Sequence, residues 1–258
     1  MKSSALSERP LVAHRLCCGL LLCLVTGSPI AAAEDPAEDP YGDERRALVA
    51  EIEADVRATG DYLDTEKLDP AVFEAMRSVP RHRFVPEDEV AHAYENRPLP
   101  IGHGQTISQP YIVAIMTDLL EPAPDHSVLE VGTGSGYQAA VLAEIVESVR
   151  SIEIIEPLGN SARRRLDRLG YDNVEVRVGD GYYGWPEHAP YDGIVVTAVA
   201  SHVPPPLLEQ LKPGGRMIIP VGSRFLTQQL VLVEKATDGT VTTQQILPVR
   251  FVPLTGGH

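Results

Sequence analysis

The chain has 258 residues, 43% of them hydrophobic and 22% charged, the composition of an ordinary globular protein with one good core. A formal net charge of −14 excludes a protein that grips nucleic acid along a broad basic face, because neutralising phosphates takes clustered Lys and Arg. The only basic cluster, Arg163-Arg164-Arg165 with Arg168, falls on a predicted helix and reads as a solvated face.

At the N-terminus Lys2, Arg9 and Arg15 precede an apolar run from Leu16 to Val25, which gives way to Ala31-Ala32-Ala33. Basic, apolar and small-residue segments in that order are the layout of a secretory signal peptide, too short to span a bilayer comfortably. Residues 1–33 are expected to be removed after Ala33, leaving an exported, periplasmic protein with no stable membrane insertion. The alternative is a mis-assigned start or an uncleaved leader on a cytoplasmic protein. Cys17, Cys18 and Cys23 all lie in this segment, so the mature chain would have neither a disulfide nor a thiol nucleophile.

Residues 34–44 are acidic and Pro-rich and read as a linker. Leu48, Ile52 and Val56 recur every four positions, which predicts an amphipathic helix over 45–57. Asp69, with Pro70 behind it, predicts a second helix to Ser78, stopped by Pro80. Residues 98–109, rich in Gly and Pro, are expected to be a loop. Residues 45–110 thus form a helical extension with a loop, packed on a core of 111–258. In that core β-rich runs at 127–131, 151–155, 174–178 and 194–197 alternate with helical patterns, which indicates a doubly wound, mostly parallel α/β sheet. A short helix over 207–211 and a turn at Pro213-Gly214-Gly215 follow. Strands at 216–221, 229–234 and 245–252 end the chain, the last two joined by a hairpin at Thr237-Asp238-Gly239-Thr240.

The chemistry concentrates at Val128-Leu129-Glu130-Val131-Gly132-Thr133-Gly134-Ser135-Gly136, a strand running into alternate glycines and then a helix. Such a loop at the carboxyl edge of a sheet lets a ligand approach the main chain closely. A dinucleotide fingerprint requires glycine at its sixth position, whereas Tyr137 directly follows Gly136. The spacing Glu-x-Gly-x-Gly-x-Gly instead resembles the first motif of class I methyltransferases, which have a Rossmann-like fold and lay this loop beneath the methionine part of S-adenosylmethionine. Glu153 follows about 20 residues later near a strand end, the place of a carboxylate that accepts both ribose hydroxyls. Asp180, between Gly179 and Gly181, sits where this fold meets the adenine amino group.

Further stretches resemble one family, the protein-L-isoaspartate O-methyltransferases. They include Val79-Pro80-Arg81-His82-Arg83-Phe84-Val85, Gly104-Gln105-Thr106-Ile107-Ser108-Gln109-Pro110, Ala189-Pro190-Tyr191-Asp192, Pro220-Val221-Gly222 and Arg250-Phe251-Val252-Pro253-Leu254. The resemblance runs in order from about residue 45 to the end. It implies Ser108 as the active-site serine with Thr106 beside it, and Gln105, Ile107 and Val221 at the acceptor. Glu130, Gly132, Gly134, Gly136, Glu153, Asp180, Gly181 and Thr255 would serve the cofactor. Val113 departs from the pattern, since several relatives place a cofactor-contacting histidine there.

The implied reaction methylates the free α-carboxylate of isoaspartyl residues in damaged proteins, after which the ester closes to a succinimide and partly reopens as normal aspartate. A carboxyl with a pKa of about 4 is already ionised near neutral pH, so no general base is needed. The scattered histidines predict no metal site. Isoaspartyl proteins and peptides are the expected partners of a monomeric enzyme. Two alternatives are a class I methyltransferase acting on another carboxylate, and a non-catalytic exported protein that binds altered peptides.

Overall fold

The computed structural model describes residues 39–223 and 225–256. The leader, its cleavage point after Ala33 and most of the acidic stretch lie outside the described residues.

Helix α1 (Gly42–Ala58) begins earlier than the apolar spacing indicates, so residues 42–44, read as linker, are helical. Asp43 and Glu44 in its first turn and Arg57 in its last each complement the helix dipole. Leu48, Val49, Ile52 and Val56 form its buried stripe. A single turn, α2 (Gly60–Leu63), leads to α3 (Pro70–Ser78), where the Asp69 carboxylate accepts from the Ala71 N–H at 2.7 Å.

The segment expected to be a loop over 98–109 is instead a hairpin of β1 (Leu99–Gly102) and β2 (Gln105–Ile107). Leu99 and Ile107 face each other across it, and both are buried. The turn Gly102-His103-Gly104 has positive φ at all three residues, a conformation that the two glycines adopt without strain. Helix α4 (Pro110–Leu119) follows directly.

The main sheet contains β3 (Ser127–Val131), β4 (Ser148–Glu153), β5 (Val174–Val178), β6 (Tyr191–Val196), β7 (Leu211–Val221), β8 (Gln228–Lys235) and β9 (Val241–Val249). Their order is β5-β4-β3-β6-β7-β8-β9, parallel through β7 and antiparallel thereafter. Helices α5 (Tyr137–Ala143), α6 (Glu156–Leu169) and α7 (Pro205–Gln210) connect the parallel strands. Apolar residues cover both faces of β3: Val128 packs with α1, α3, α4 and α5, whereas Leu129 and Val131 pack with Trp185 and Leu207.

Pro213-Gly214-Gly215 is not a turn between elements but a bulge inside β7, where the register with β6 slips between Tyr191↔Leu211 and Gly193↔Arg216. A Cβ at Gly215 would lie 2.8 Å from the Asp192 carbonyl oxygen, so the bulge needs glycine to let the strands close. Among the described residues no helix is long and apolar enough to cross a membrane.

Candidate active site

The strand order changes direction between β3 and β6, and ligands of open α/β sheets bind beyond the carboxyl ends of strands at such a point. A cleft of about 750 Å³, counting its open mouth, lies there and is lined by the ends of β3, β4 and β6 together with β2 and the C-terminal segment.

The glycine loop forms its floor, and almost every part of that loop is tied down. The Gly132 N–H donates to the Ile152 carbonyl at 2.8 Å, and the Gly132 carbonyl accepts from the Thr197 hydroxyl at 2.6 Å. Gly132 has φ +101°, and a Cβ there would stand 2.4 Å from Thr197 Oγ1, so no other residue fits. The Gly134 N–H donates to Glu153, the Gly136 N–H to the Thr133 carbonyl, and Arg165 donates to the Ser135 carbonyl at 2.8 Å. Gly136 itself faces away from the cleft, where a Cβ would press on Leu166 of α6 at 3.2 Å.

Two carboxylates lie on the wall. Glu153, the last residue of β4, accepts from the Gly134 and Ile155 N–H groups, each at 2.8 Å. One lone pair on each of its oxygens remains for another donor. Glu130 is fully buried, and burial pushes its carboxyl up to about 8; the Ser151 hydroxyl bonded to one oxygen works against that rise, and the Glu153 charge adds to it. Its other oxygen has no partner among the described residues.

Thr106 and Ser108 stand where this cleft meets a second one. The neighbouring groove, about 970 Å³ with its mouth, runs between Pro98, Gln109 and Ile112 on one side and residues 248–252 on the other. Thr106 and Ser108 line both cavities, as do Thr197 and Val252.

Of the residues singled out in the sequence, Gln105, Thr106, Ile107, Ser108, Glu130, Gly132, Gly134, Glu153, Gly181 and Thr255 come together around the first cleft. Ile107 contributes a wall from the core, being almost fully buried. Gly136, Asp180 and Val221 are not among the lining residues. Asp180 follows β5 and caps the turn Gly181–Tyr183 by accepting from the Tyr182 N–H at 3.0 Å. Val221 ends β7 at the same edge of the sheet, bridged to Ala200.

Val113, where a histidine was the family expectation, does line the cleft. The sequence reading missed Thr197, Gln138 and Ile154, which also line it. Ile154 directly follows Glu153 and is 37% exposed, more than is usual for an isoleucine. The basic run on α6 is not merely solvated: Arg163 donates to the Val176 carbonyl at 3.2 and 2.7 Å while Arg165 braces the glycine loop. Both reach inward to backbone oxygens, one on β5 and one in the glycine loop.

Comparison with known proteins bears on this arrangement. The family model described as protein-L-isoaspartate(D-aspartate) O-methyltransferase matches residues 61–258. The chain is similar to protein-L-isoaspartate O-methyltransferase 2 of Syntrophobacter fumaroxidans, with 66% identity over 239 residues, covering 93% of this chain and 95% of that protein. Among solved structures, a protein-L-isoaspartate O-methyltransferase matches with a TM-score of 0.72 and 30% identity; the match covers 82% of this chain and 66% of that one. A Plasmodium falciparum beta-aspartate methyltransferase structure in complex with S-adenosyl-L-homocysteine shares the fold, with a TM-score of 0.67, 24% identity and coverage of 82% and 98%.

Proposed function

The chain belongs to the protein-L-isoaspartate(D-aspartate) O-methyltransferase family, and we propose that Thr106 and Ser108 hold the free α-carboxylate of an L-isoaspartyl residue in line with the methyl group of S-adenosylmethionine. It is an S-adenosylmethionine-dependent methyltransferase whose acceptors are isoaspartyl residues of damaged proteins. The observation that carries the residue assignment is that these two hydroxyl side chains line both adjoining cavities.

S-adenosylmethionine supplies a methyl carbon activated by its sulfonium. The glycine loop, residues 132–136, would lie beneath the methionine end, with Glu130 buried behind it. Glu153 accepts from the ribose hydroxyls with its remaining lone pairs. Asp180 and Gly181 serve the adenine, Ile154 covers its face, and Thr255 closes the pocket from the C-terminal segment. Gln105 and Ile107 shape the acceptor side, and Val221 meets a more distant part of the acceptor chain.

The acceptor carboxylate arrives ionised, so the chain need not move a proton. The carboxylate oxygen forms a bond to the methyl carbon as the carbon–sulfur bond breaks, giving a methyl ester and S-adenosylhomocysteine. The enzyme's task is orientation with water excluded, and neutral hydroxyl donors orient the anion without holding it as an arginine ion pair would. In an isoaspartyl linkage the backbone runs through the side-chain carbon and leaves the α-carboxylate free. A groove shaped for that kink cannot bring a normal aspartate carboxylate to the same place. The test is a radiolabelled-methyl assay on paired peptides. Label is expected on the isoaspartyl peptide only; equal labelling of both would overturn the selectivity.

We further propose that residues 1–33 direct export to the periplasm and are cut after Ala33. The basic, apolar and small-residue order of the segment supports this. N-terminal sequencing of protein from fractionated cells should begin at Glu34; an intact leader on protein confined to the cytosol would overturn it. The mature enzyme is proposed to be a monomer without an inserted segment, and a dimeric mass by light scattering would contradict that.

A further inference from the structure

Arg81 presents a problem that folding alone does not explain. Its side chain is completely buried, and among the described residues no carboxylate pairs with it. Burial holds its guanidinium down at about 10, although Tyr137 opposes the shift. Burying an unpaired charge is costly, and an apolar side chain would fill the space more cheaply.

What the guanidinium does there is gather backbone. Nε donates to the Ala93 carbonyl at 2.9 Å, and Nη2 donates to the Ser108 carbonyl at 2.8 Å and the Arg97 carbonyl at 3.4 Å. The planar fork of donors thereby joins the chain around residues 93–97 to Ser108. The same group lies 4.7 Å over the ring of Tyr137, the residue that follows the glycine loop and lines the cofactor cleft. One side chain therefore touches both the acceptor loop and the start of α5.

The other flank of Ser108 is held as well. Asn96 accepts from the Tyr111 N–H at 3.0 Å and donates to Asp55 of α1 at 2.8 Å. Tyr111 lies in the first turn of α4, where N–H groups have no partner within the helix. Asp55 lies before residue 61, where the family match begins.

We propose that Arg81 is a positioning residue for methyl transfer: it fixes the Ser108 carbonyl relative to the cofactor loop, and Asn96, anchored on Asp55, fixes the chain on the far side of Ser108. This rests on the assignment of Ser108 to the acceptor. It accounts for a buried cation without a counter-ion and for a polar chain running from α1 to the acceptor loop.

The test compares Arg81→Lys, Asn96→Ala and Ser108→Ala with Val72→Ala, a core truncation on α3 that lowers stability without touching the loop. For each, kcat and KM for an isoaspartyl peptide, the Kd for S-adenosylhomocysteine by calorimetry, and Tm are measured. Arg81→Lys and Asn96→Ala should lower kcat/KM for the peptide by about 10–100-fold, since a displacement of about 1 Å at a reacting group has that effect. Their S-adenosylhomocysteine Kd should change by no more than about twofold. Val72→Ala should lose Tm but keep its peptide kinetics. Unchanged peptide kcat/KM in Asn96→Ala and Arg81→Lys, or an equal kinetic loss in Val72→Ala, would overturn the proposal. If Arg81→Lys does not fold, Asn96→Ala decides alone. Ser108→Ala reports separately: full activity there sinks the serine assignment, whatever the other variants do.

Discussion

The cofactor loop and the acceptor loop are built by opposite means. The cofactor loop, residues 132–136, is held by its own sheet: Ile152 from β4, Thr197 beyond β6 and Glu153 at the end of β4 each bond to its backbone. The acceptor loop continues a two-stranded hairpin outside that sheet, and its Ser108 carbonyl is reached by Arg81, which precedes the hairpin in the chain. The contrast teaches where each property resides. A sheet of this topology carries its ligand cradle with it, whereas the segment of Thr106 and Ser108 depends on contacts from outside the sheet.

The most severe way to break the cofactor half is Gly132→Ala. The new Cβ meets Thr197 Oγ1 at 2.4 Å on a backbone with φ +101°, and strain at such a position costs about 1–3 kcal/mol before the clash is counted. Expected outcomes are a lower Tm and no measurable S-adenosylhomocysteine binding by calorimetry. Normal binding would show that the loop tolerates displacement and that the sheet does not define it.

A narrower break is Glu153→Ala, which removes the acceptor of the Gly134 and Ile155 N–H groups and, on the proposed assignment, of the ribose hydroxyls. A hydrogen bond to a charged group is worth about 1.5–3 kcal/mol, so loss of even one should raise cofactor Kd by about 10–100-fold. Peptide KM at saturating cofactor should stay near wild type. A loss in peptide KM as large as that in cofactor Kd would erase the distinction between the two loops.

Ser108→Ala probes the other half. On the proposed role of its hydroxyl in orienting the acceptor, its kcat should fall by about tenfold or more with cofactor Kd unchanged. A change confined to cofactor affinity would move Ser108 to the wrong side of the comparison.

Outside both loops' kinetics lies the pH dependence of the ligand-free protein. Glu130 ionises at 4.5 when exposed and at about 8 when folded. Below 4.5 both states hold the proton; as pH rises toward 8 the unfolded state releases it first, so stability falls across this window by the contribution of this one group, which is gone above the folded pKa. Denaturant melts at about pH 6 and about pH 8 should show a smaller decline for Glu130→Gln than for wild type. Equal slopes would place the carboxylate in a better solvated site.

The same division explains what was legible in the sequence. The cofactor loop, its two acids and the alternating strands announce themselves because backbone geometry demands particular residues at fixed spacing, as at Gly132. The hairpin over residues 99–107 did not, because Pro98, Pro100 and two glycines obscure strands this short, and the pairing of Leu99 with Ile107 is decided by the core beneath. Arg165 and Arg81 looked like ordinary surface and motif residues, since a side chain that reaches a distant carbonyl leaves no periodic trace. Ser108 was singled out through the family resemblance, not through its own chemistry. Thr197 closes the carboxyl end of β6 and was seen only as part of a strand, its hydroxyl on the Gly132 carbonyl being a tertiary fact.

The two backbone N–H groups on Glu153 have a kinetic consequence. The carboxylate that is assigned to the ribose is already a latch for the loop, so the cradle's ordering entropy is spent during folding and not at encounter with the ligand. Amide hydrogen exchange at Gly134 and Ile155 should therefore be slow without cofactor and slow by little more when it is added. Association should proceed in a single concentration-dependent phase, with no slow isomerisation following it.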